Sequence, residues 1–129
     1  MWYYQYLCHR VGDYMLQSSW MANNKTNRWM PAIVHALVYF LPFLVVFHPS
    51  FAAALVMIGT HAVIDRYRLA RYVSYANQFL SPPSAWKPWA DCCATGYHKD
   101  TPPYIAFWLM IIVDNTMHLV INALALAYL

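Results

Sequence analysis

Four apolar stretches, separated by polar or proline-rich connections, organise the chain. Pro31 stands near the start of the second stretch, where proline is tolerated, and Ser50 is placed to cap the third. Apolar runs of this length are typical of helices that span a bilayer. They predict an all-α protein, a bundle of about four transmembrane helices. The predicted helices cover about residues 2–21, 29–47, 51–77 and 104–128.

Polar side chains recur at helical spacing inside these apolar stretches. A histidine and an aspartate four residues apart lie on one face of a helix. Three such pairs occur: His9 with Asp13, His61 with Asp65, and Asp114 with His118. His35 adds a fourth imidazole within the second stretch. We expect these residues to face inward and to form one buried site drawn from several helices.

Composition favours a membrane protein. Of the 129 residues, 61% are hydrophobic, 18% are aromatic and only 10% are charged, whereas soluble domains carry about 25% charged residues. The length indicates a single domain over residues 1–129. The net charge of +3 comes without a basic block, so nucleic-acid binding is not expected as the main function.

Basic residues predict the topology. They lie in the first and third connections: Lys25, Arg28, Arg66, Arg68, Arg71, Lys87 and Lys99. Cytoplasmic loops carry such an excess, so four spans would leave both termini outside the bacterial inner (cytoplasmic) membrane. We expect no cleaved signal peptide. The proline-rich stretch at about 81–103 is expected to be an irregular cytoplasmic connection, of the kind that often forms a lid or binding loop.

Carboxylates within a bilayer need partners, because each ionisable residue at mid-membrane costs about 2.5–3.5 kcal/mol. One explanation is a structural network in which His–Asp pairs and Arg10 neutralise charge. The other is a metal, since neutral imidazole and carboxylate suit Zn, Mn or Fe. The candidate ligands are His9, Asp13, His35, His61, Asp65, Asp114 and His118. They exceed the needs of one tetrahedral ion, so either some only orient ligands or the site holds two metals.

A metal site of this kind could activate water and neutralise charge on a phosphoryl or acyl transition state. An aspartate that does not bind the metal would act as general base, which makes Asp13, Asp65 and Asp114 the candidate catalytic residues. Further polar residues are expected to support the ligands or to bind substrate: Gln17, Tyr39, Asn115 and Asn122. Arg66 and Arg68 could grip an anionic headgroup or phosphate.

Five segments in this order resemble a known family. They are HRVGDYMLQ at 9–17, WMANNK at 20–25, His35, HAVID at 61–65 and DNTMH at 114–118. The chain resembles the small polytopic membrane proteins of phages and bacteria grouped as domain of unknown function 3307. It is similar, more loosely, to membrane-bound metal-dependent hydrolase-like proteins with intramembrane His and Asp. The resemblance implies a membrane location, a shared polar site and a phage origin, and it implies no substrate.

The leading hypothesis is an integral membrane protein with an intramembrane His/Asp metal site. As an enzyme it would hydrolyse a lipid-linked or phosphorylated substrate from the cytoplasmic side, with membrane lipid as its partner and self-association as an option. The alternative is a non-enzymatic phage membrane protein that binds a host membrane or defence protein. A haem protein is a third reading, although carboxylates at i+4 favour a non-haem metal.

Overall fold

The computed structural model describes residues 2–129, and this range contains helices and no β-strand. The α-helices are α1 (Trp2–Arg10), α2 (Ser19–Asn24), α3 (Trp29–Phe47), α4 (Phe51–Tyr67), α5 (Ala70–Ala76) and α6 (Pro103–Tyr128). The expected all-α class is thereby confirmed. The chain divides into two compact units, which are described separately. Unit 1 contains the chain up to Tyr67 together with His118–Leu129, and unit 2 contains Arg68–Met117.

The first apolar stretch is not one continuous helix. After α1, the segment Val11–Met15 forms a π-helical turn, in which the Leu16 N–H donates to the Val11 carbonyl at 3.0 Å. This bond spans five residues where an α-helical bond spans four. The chain then leaves the helix, and α2 begins only after Ser18, whose hydroxyl accepts a bond from the Met21 N–H at 3.3 Å.

This interruption corrects one sequence prediction. A continuous helix over 2–21 would place Gln17 on one line with His9 and Asp13. Gln17 instead lies in the non-helical link before α2, because the π-helical turn ends at Met15. Of these three residues, His9 and Asp13 lie close together, with His9 Nε2 3.9 Å from Asp13 Oδ2.

Helices α3 and α4 form the frame of unit 1. Pro42 lies within α3 without ending it, and His48 closes the helix in the left-handed region with φ 48°. The Ser50 hydroxyl accepts a bond from the Ala53 N–H at 3.1 Å, so the predicted cap of α4 is confirmed.

The core of unit 1 is apolar and lies at one end of these helices. Its buried residues are Cys8, Tyr39, Phe40, Phe43, Ala53, Met57 and Ala125. Within the unit, the Gln5 side-chain amide donates to the Leu119 carbonyl at 2.6 Å and thereby links α1 to the final turns of α6. Buried polar groups require such partners, because an unpaired one costs about 1–3 kcal/mol.

The third apolar stretch also breaks where a single helix was expected. Helix α4 ends at Tyr67, and Arg68 adopts a left-handed backbone with φ 52°. This conformation cannot continue a right-handed helix, so the prediction of one helix over 51–77 is wrong at this point. Helix α5 resumes in unit 2 at Ala70.

In unit 2, the long connection packs on α5. The Arg71 guanidinium donates to the Cys93 carbonyl at 3.2 Å, and the Tyr72 ring stacks on Trp89 at 4.8 Å. Gly96 has φ 88°, and a Cβ there would lie 2.6 Å from the Ser74 Cβ. The connection contains only short 3-10 turns, at Asn77–Leu80, Pro83–Ala85 and Trp89–Asp91.

Two of the described helices, α3 and α6, are long and apolar enough to cross a membrane by length and composition. Helix α3 carries exposed Leu37, Leu41 and Val45 at i, i+4, i+8, whereas His35 and Tyr39 on its other face are fully buried. Helix α3 therefore exposes an apolar stripe and buries His35 among apolar residues on its other face. The four crossings expected from the sequence stay a prediction.

Candidate metal centre

Four buried side chains from three elements converge in unit 1. Asp13 comes from the π-helical turn, His35 from α3, and His61 and Asp65 from successive turns of α4. Each offers one ligand atom, and these atoms all lie within 4.8 Å of one another. We call these four residues the acid–imidazole cluster. Their Asp and His groups are positioned to hold a metal ion.

The distances centre on His35 and Asp65. His35 Nε2 lies 3.1 Å from Asp13 Oδ1 and 3.3 Å from Asp65 Oδ2. His61 Nε2 lies 3.3 Å from the same Asp65 oxygen and 3.9 Å from Asp13 Oδ1. Two carboxylate oxygens and two imidazole nitrogens thus surround one small space, a donor set suited to Zn, Mn or Fe.

His61 is held by ring packing rather than by hydrogen bonds. Its ring stacks on Tyr39 with centroids 3.8 Å apart and on His118 with centroids 4.1 Å apart. Within residues 2–129, neither ring nitrogen of His61 has a hydrogen-bond partner, although the side chain is buried. A buried imidazole with open nitrogens is uncommon, since buried polar atoms are nearly always satisfied.

Lys25 is the residue of this site that the sequence reasoning missed. Its ammonium lies 2.8 Å from Asp65 Oδ2, 3.2 Å from His35 Nε2 and 3.8 Å from Asp13 Oδ1. The sequence pattern indicates Lys25 only as a topology signal. The available indication was charge balance, since buried aspartates in an apolar bundle need a cation and Lys25 stands in the adjoining polar connection.

A second group of polar residues supports the cluster. The Tyr39 hydroxyl lies 2.9 Å from His9 Nδ1 and accepts a bond from the Asn122 amide at 2.5 Å. His9 Nε2 lies 3.9 Å from Asp13 Oδ2, and His118 Nε2 lies 3.6 Å from Asp65 Oδ1. His9 and His118 therefore reach the outer oxygens of the two carboxylates, in positions that orient ligands.

The arginines make other contacts. Arg10, expected as a partner of Asp13, donates instead to the Tyr6 hydroxyl at 2.9 Å and is exposed. Arg66 donates to the Thr26 carbonyl at 2.8 Å, which links α4 to the connection that carries Lys25. In unit 2, Arg68 donates to the Ala94 carbonyl at 3.0 Å.

Three further residues were predicted from the sequence to take part in the site. Asp114 and Asn115 are half-buried on the part of α6 that belongs to unit 2. Gln17 lies in the link before α2, and its side-chain oxygen is buried without a hydrogen-bond partner in the described chain. The role of these three residues at a metal site stays a prediction.

Comparison with known proteins identifies a family and no activity. No curated protein and no solved structure matches the chain. A family model described as "Protein of unknown function (DUF3307)" matches residues 1–129, the whole chain. The similarity to hydrolase-like proteins expected from the sequence finds no support among these matches. The chain therefore belongs to the DUF3307 family of proteins of unknown function.

Proposed function

We propose that unit 1 binds a divalent metal ion, Zn, Mn or Fe, through Asp13, His35, His61 and Asp65. The observation that carries the proposal is the convergence of these four buried donors, with both ring nitrogens of His61 left without hydrogen bonds. A metal would use the free lone pair of His61 and the charge of both carboxylates. His9, Tyr39, Asn122 and His118 would orient the ligands.

We further propose that the site lies within a membrane. The apolar residues on the outward face of α3 would be costly in water, where contiguous exposed apolar surface of this kind favours association. In lipid the same face is favourable, and the polar cluster is shielded inside the unit. The proposal of four spans in the bacterial inner membrane rests on the four apolar stretches of the sequence and on the basic connections.

The reaction that fits such a site is metal-dependent hydrolysis of a lipid-linked or phosphorylated substrate. A bound ion of this class lowers the pKa of water and stabilises charge on a phosphoryl group. Four protein ligands leave no position for water in a tetrahedral ion, whereas a five- or six-coordinate ion keeps one or two. Hydrolysis therefore requires the higher coordination number, or an aspartate that leaves the ion and acts as base.

The test is metal analysis of the protein purified in detergent, together with the double variant His61→Ala/Asp65→Ala. We expect close to one ion per chain in the parent and almost none in the variant. The matched control is His98→Ala/Asp100→Ala, which removes another His–Asp pair, 3.2 Å apart, from unit 2. The control should keep the metal of the parent.

Absence of metal from a folded parent, even after Zn, Mn and Fe are supplied, would contradict the proposal. The second candidate function would then be favoured, that of a non-enzymatic membrane protein that binds a host protein. One observation supports it: the Lys25 ammonium already lies between the two carboxylates and could neutralise them as part of a structural network.

If metal is found, the release of phosphate or of a cleaved headgroup from dispersed phosphorylated lipids tests the reaction. We expect release in the parent and in the His98→Ala/Asp100→Ala control, and none in His61→Ala/Asp65→Ala. Metal binding without hydrolysis of any phosphomonoester lipid (to phosphate and alcohol) or phosphodiester lipid (to phosphomonoester and alcohol) would retain the metal site and contradict the hydrolase assignment.

A further inference from the structure

Lys25 and a metal ion compete for the same atoms. An ammonium has three hydrogen-bond donors and no lone pair, so it cannot bind a metal. It lies 3.2 Å from His35 Nε2, and that nitrogen offers at most one lone pair. The ammonium also contacts Asp65 Oδ2 at 2.8 Å. A metal that binds His35 Nε2 must displace the Lys25 ammonium from that nitrogen, and the two positive charges would repel each other at the shared Asp65 oxygen.

The net charge of the site changes sign when a divalent ion binds. With neutral imidazoles, Asp13, Asp65 and Lys25 together carry one net negative charge. A divalent ion neutralises both carboxylates and leaves the positive charge of Lys25 in excess beside it. Net positive charge that is held away from water is costly, so the metal-loaded site should attract an anion.

The same side chain marks the most accessible edge of the site. The Lys25 side chain is 17% exposed, compared with 8% for Asp13, 4% for Asp65 and 0% for His35. Lys25 follows directly on α2, in a connection held to α4 by the bond between Arg66 and Thr26. An incoming ligand would therefore meet the ammonium before it meets the carboxylates.

We propose that Lys25 is the anion-binding residue of the metal site and selects ligands that carry a phosphate group. This inference rests on the proposed metal function and deepens it. Without metal, the ammonium neutralises Asp13 and Asp65. With metal, it turns to the phosphate oxygens, which gain one bond to the ion and one to the ammonium. The phosphate comes from a lipid headgroup or from free phosphate.

Acetylation of the lysine amines tests the exchange directly. The chain has three lysines, and Lys87 and Lys99, both in unit 2, serve as internal references. The parent, in nanodiscs of neutral lipid, is treated with an acetylating reagent, and modification at each lysine is measured by mass spectrometry. We expect low modification of Lys25 without metal, several-fold higher modification with Mn, and low modification again when inorganic phosphate is added.

The variant Lys25→Met tests the assignment of the anion. It keeps most of the side-chain length and removes the charge, while Lys25→Arg keeps the charge. We expect Lys25→Met to retain metal and to bind inorganic phosphate about tenfold or more weakly, the loss expected for one charge-assisted bond. Lys25→Arg should bind phosphate closer to the parent. Nanodiscs that contain phosphatidic acid, compared with free phosphate, distinguish the two sources.

The outcomes separate the two proposals. A parent that takes up no metal overturns both. A parent that takes up metal while Lys25 modification stays low, or while Lys25→Met binds phosphate as well as the parent, overturns the inference and retains the metal site. If Lys25→Met fails to fold, the acetylation measurement on the parent decides alone.

Discussion

At the scale of single residues, Tyr39 combines two roles in one side chain. Its ring stacks on His61, and its hydroxyl joins His9 to Asn122. The ring keeps the plane of the imidazole fixed, and the hydroxyl keeps two polar neighbours satisfied in a buried environment. Substitution by phenylalanine separates these two roles, because phenylalanine retains the ring and lacks the hydroxyl.

Tyr39→Phe should lower the free energy of unfolding by about 1–3 kcal/mol, since it leaves the Asn122 amide and the His9 ring without their common partner. Metal content should be retained, because the ring still supports His61. Thermal unfolding in detergent and metal analysis give the two values. Tyr3→Phe, at an exposed position of the same unit, is the control. An unchanged melting temperature in Tyr39→Phe would show that the hydroxyl network contributes no stability.

Lys25 makes a contact that local spacing patterns in a sequence cannot predict. The spacing of His61 and Asp65 predicts that they share a face, since that relation is local to one helix. The contact of Lys25 with Asp65 joins residues far apart in the chain, and no local spacing encodes it. For the same reason Arg10, a near neighbour of Asp13 in sequence, is a poor guide to the cation that Asp13 actually meets.

At the scale of elements, the π-helical turn depends on Gly12. A Cβ added there would collide with the Tyr39 backbone oxygen and lie 2.9 Å from Tyr39 Cδ2. The turn and α3 therefore approach each other at a distance that only glycine permits. Asp13 is the next residue, so this close approach also sets the position of one carboxylate in the cluster.

Gly12→Ala should separate the turn from α3, lower the melting temperature and reduce metal content. Gly59→Ala is a matched control, because a Cβ at Gly59 meets nothing within 4 Å and the residue is exposed in the interior of α4. Alanine is favoured over glycine in a helix by about 1 kcal/mol, so the control should be neutral or stabilising. Equal melting temperatures and equal metal contents in the two variants would argue against a tight contact at Gly12.

The breaks in the helices explain which element boundaries could be predicted. Apolar periodicity indicates that helices exist in the second and last stretches, where α3 and α6 are found. Apolar periodicity does not predict a residue in the left-handed conformation, such as Arg68, because arginine has no strong preference for that conformation. The π-helical turn escapes prediction similarly, since the residues around it, apart from Gly12, fit an α-helix equally well.

At the scale of the whole molecule, unit 1 buries polar side chains beside its apolar core and exposes many large apolar ones. Its buried residues include four histidines and two aspartates, while large apolar side chains are exposed along α3. Composition predicted the exposed apolar surface, because a chain with only 10% charged residues cannot cover itself with polar surface. The number of crossings does not follow from composition in the same way, since interrupted helices obscure the length of each span.

Leu41→Lys tests the membrane environment of α3. Leu41 is exposed on the apolar face of the helix, and a lysine near the centre of a span costs about 2.5–3.5 kcal/mol on insertion. We expect a clear loss of protein from the alkali-washed membrane fraction. Leu80→Lys, at a more exposed leucine in a short turn of unit 2, should leave that fraction unchanged. Full membrane retention of Leu41→Lys would place this face of α3 outside the lipid.

The π-helical turn has a consequence for how this segment tolerates changes of length. A bond that spans five residues accommodates one residue more than an α-helical turn does. Loss of Val11 or Gly12 would allow a regular α-helix to run through the segment, and each residue beyond the deletion, beginning with Asp13, would turn by about 100° around the axis. Substitution can preserve the position of the Asp13 carboxylate, whereas deletion of one residue before it would turn that carboxylate away from α3. The number of residues in the segment is therefore as much a part of the site as their chemical type.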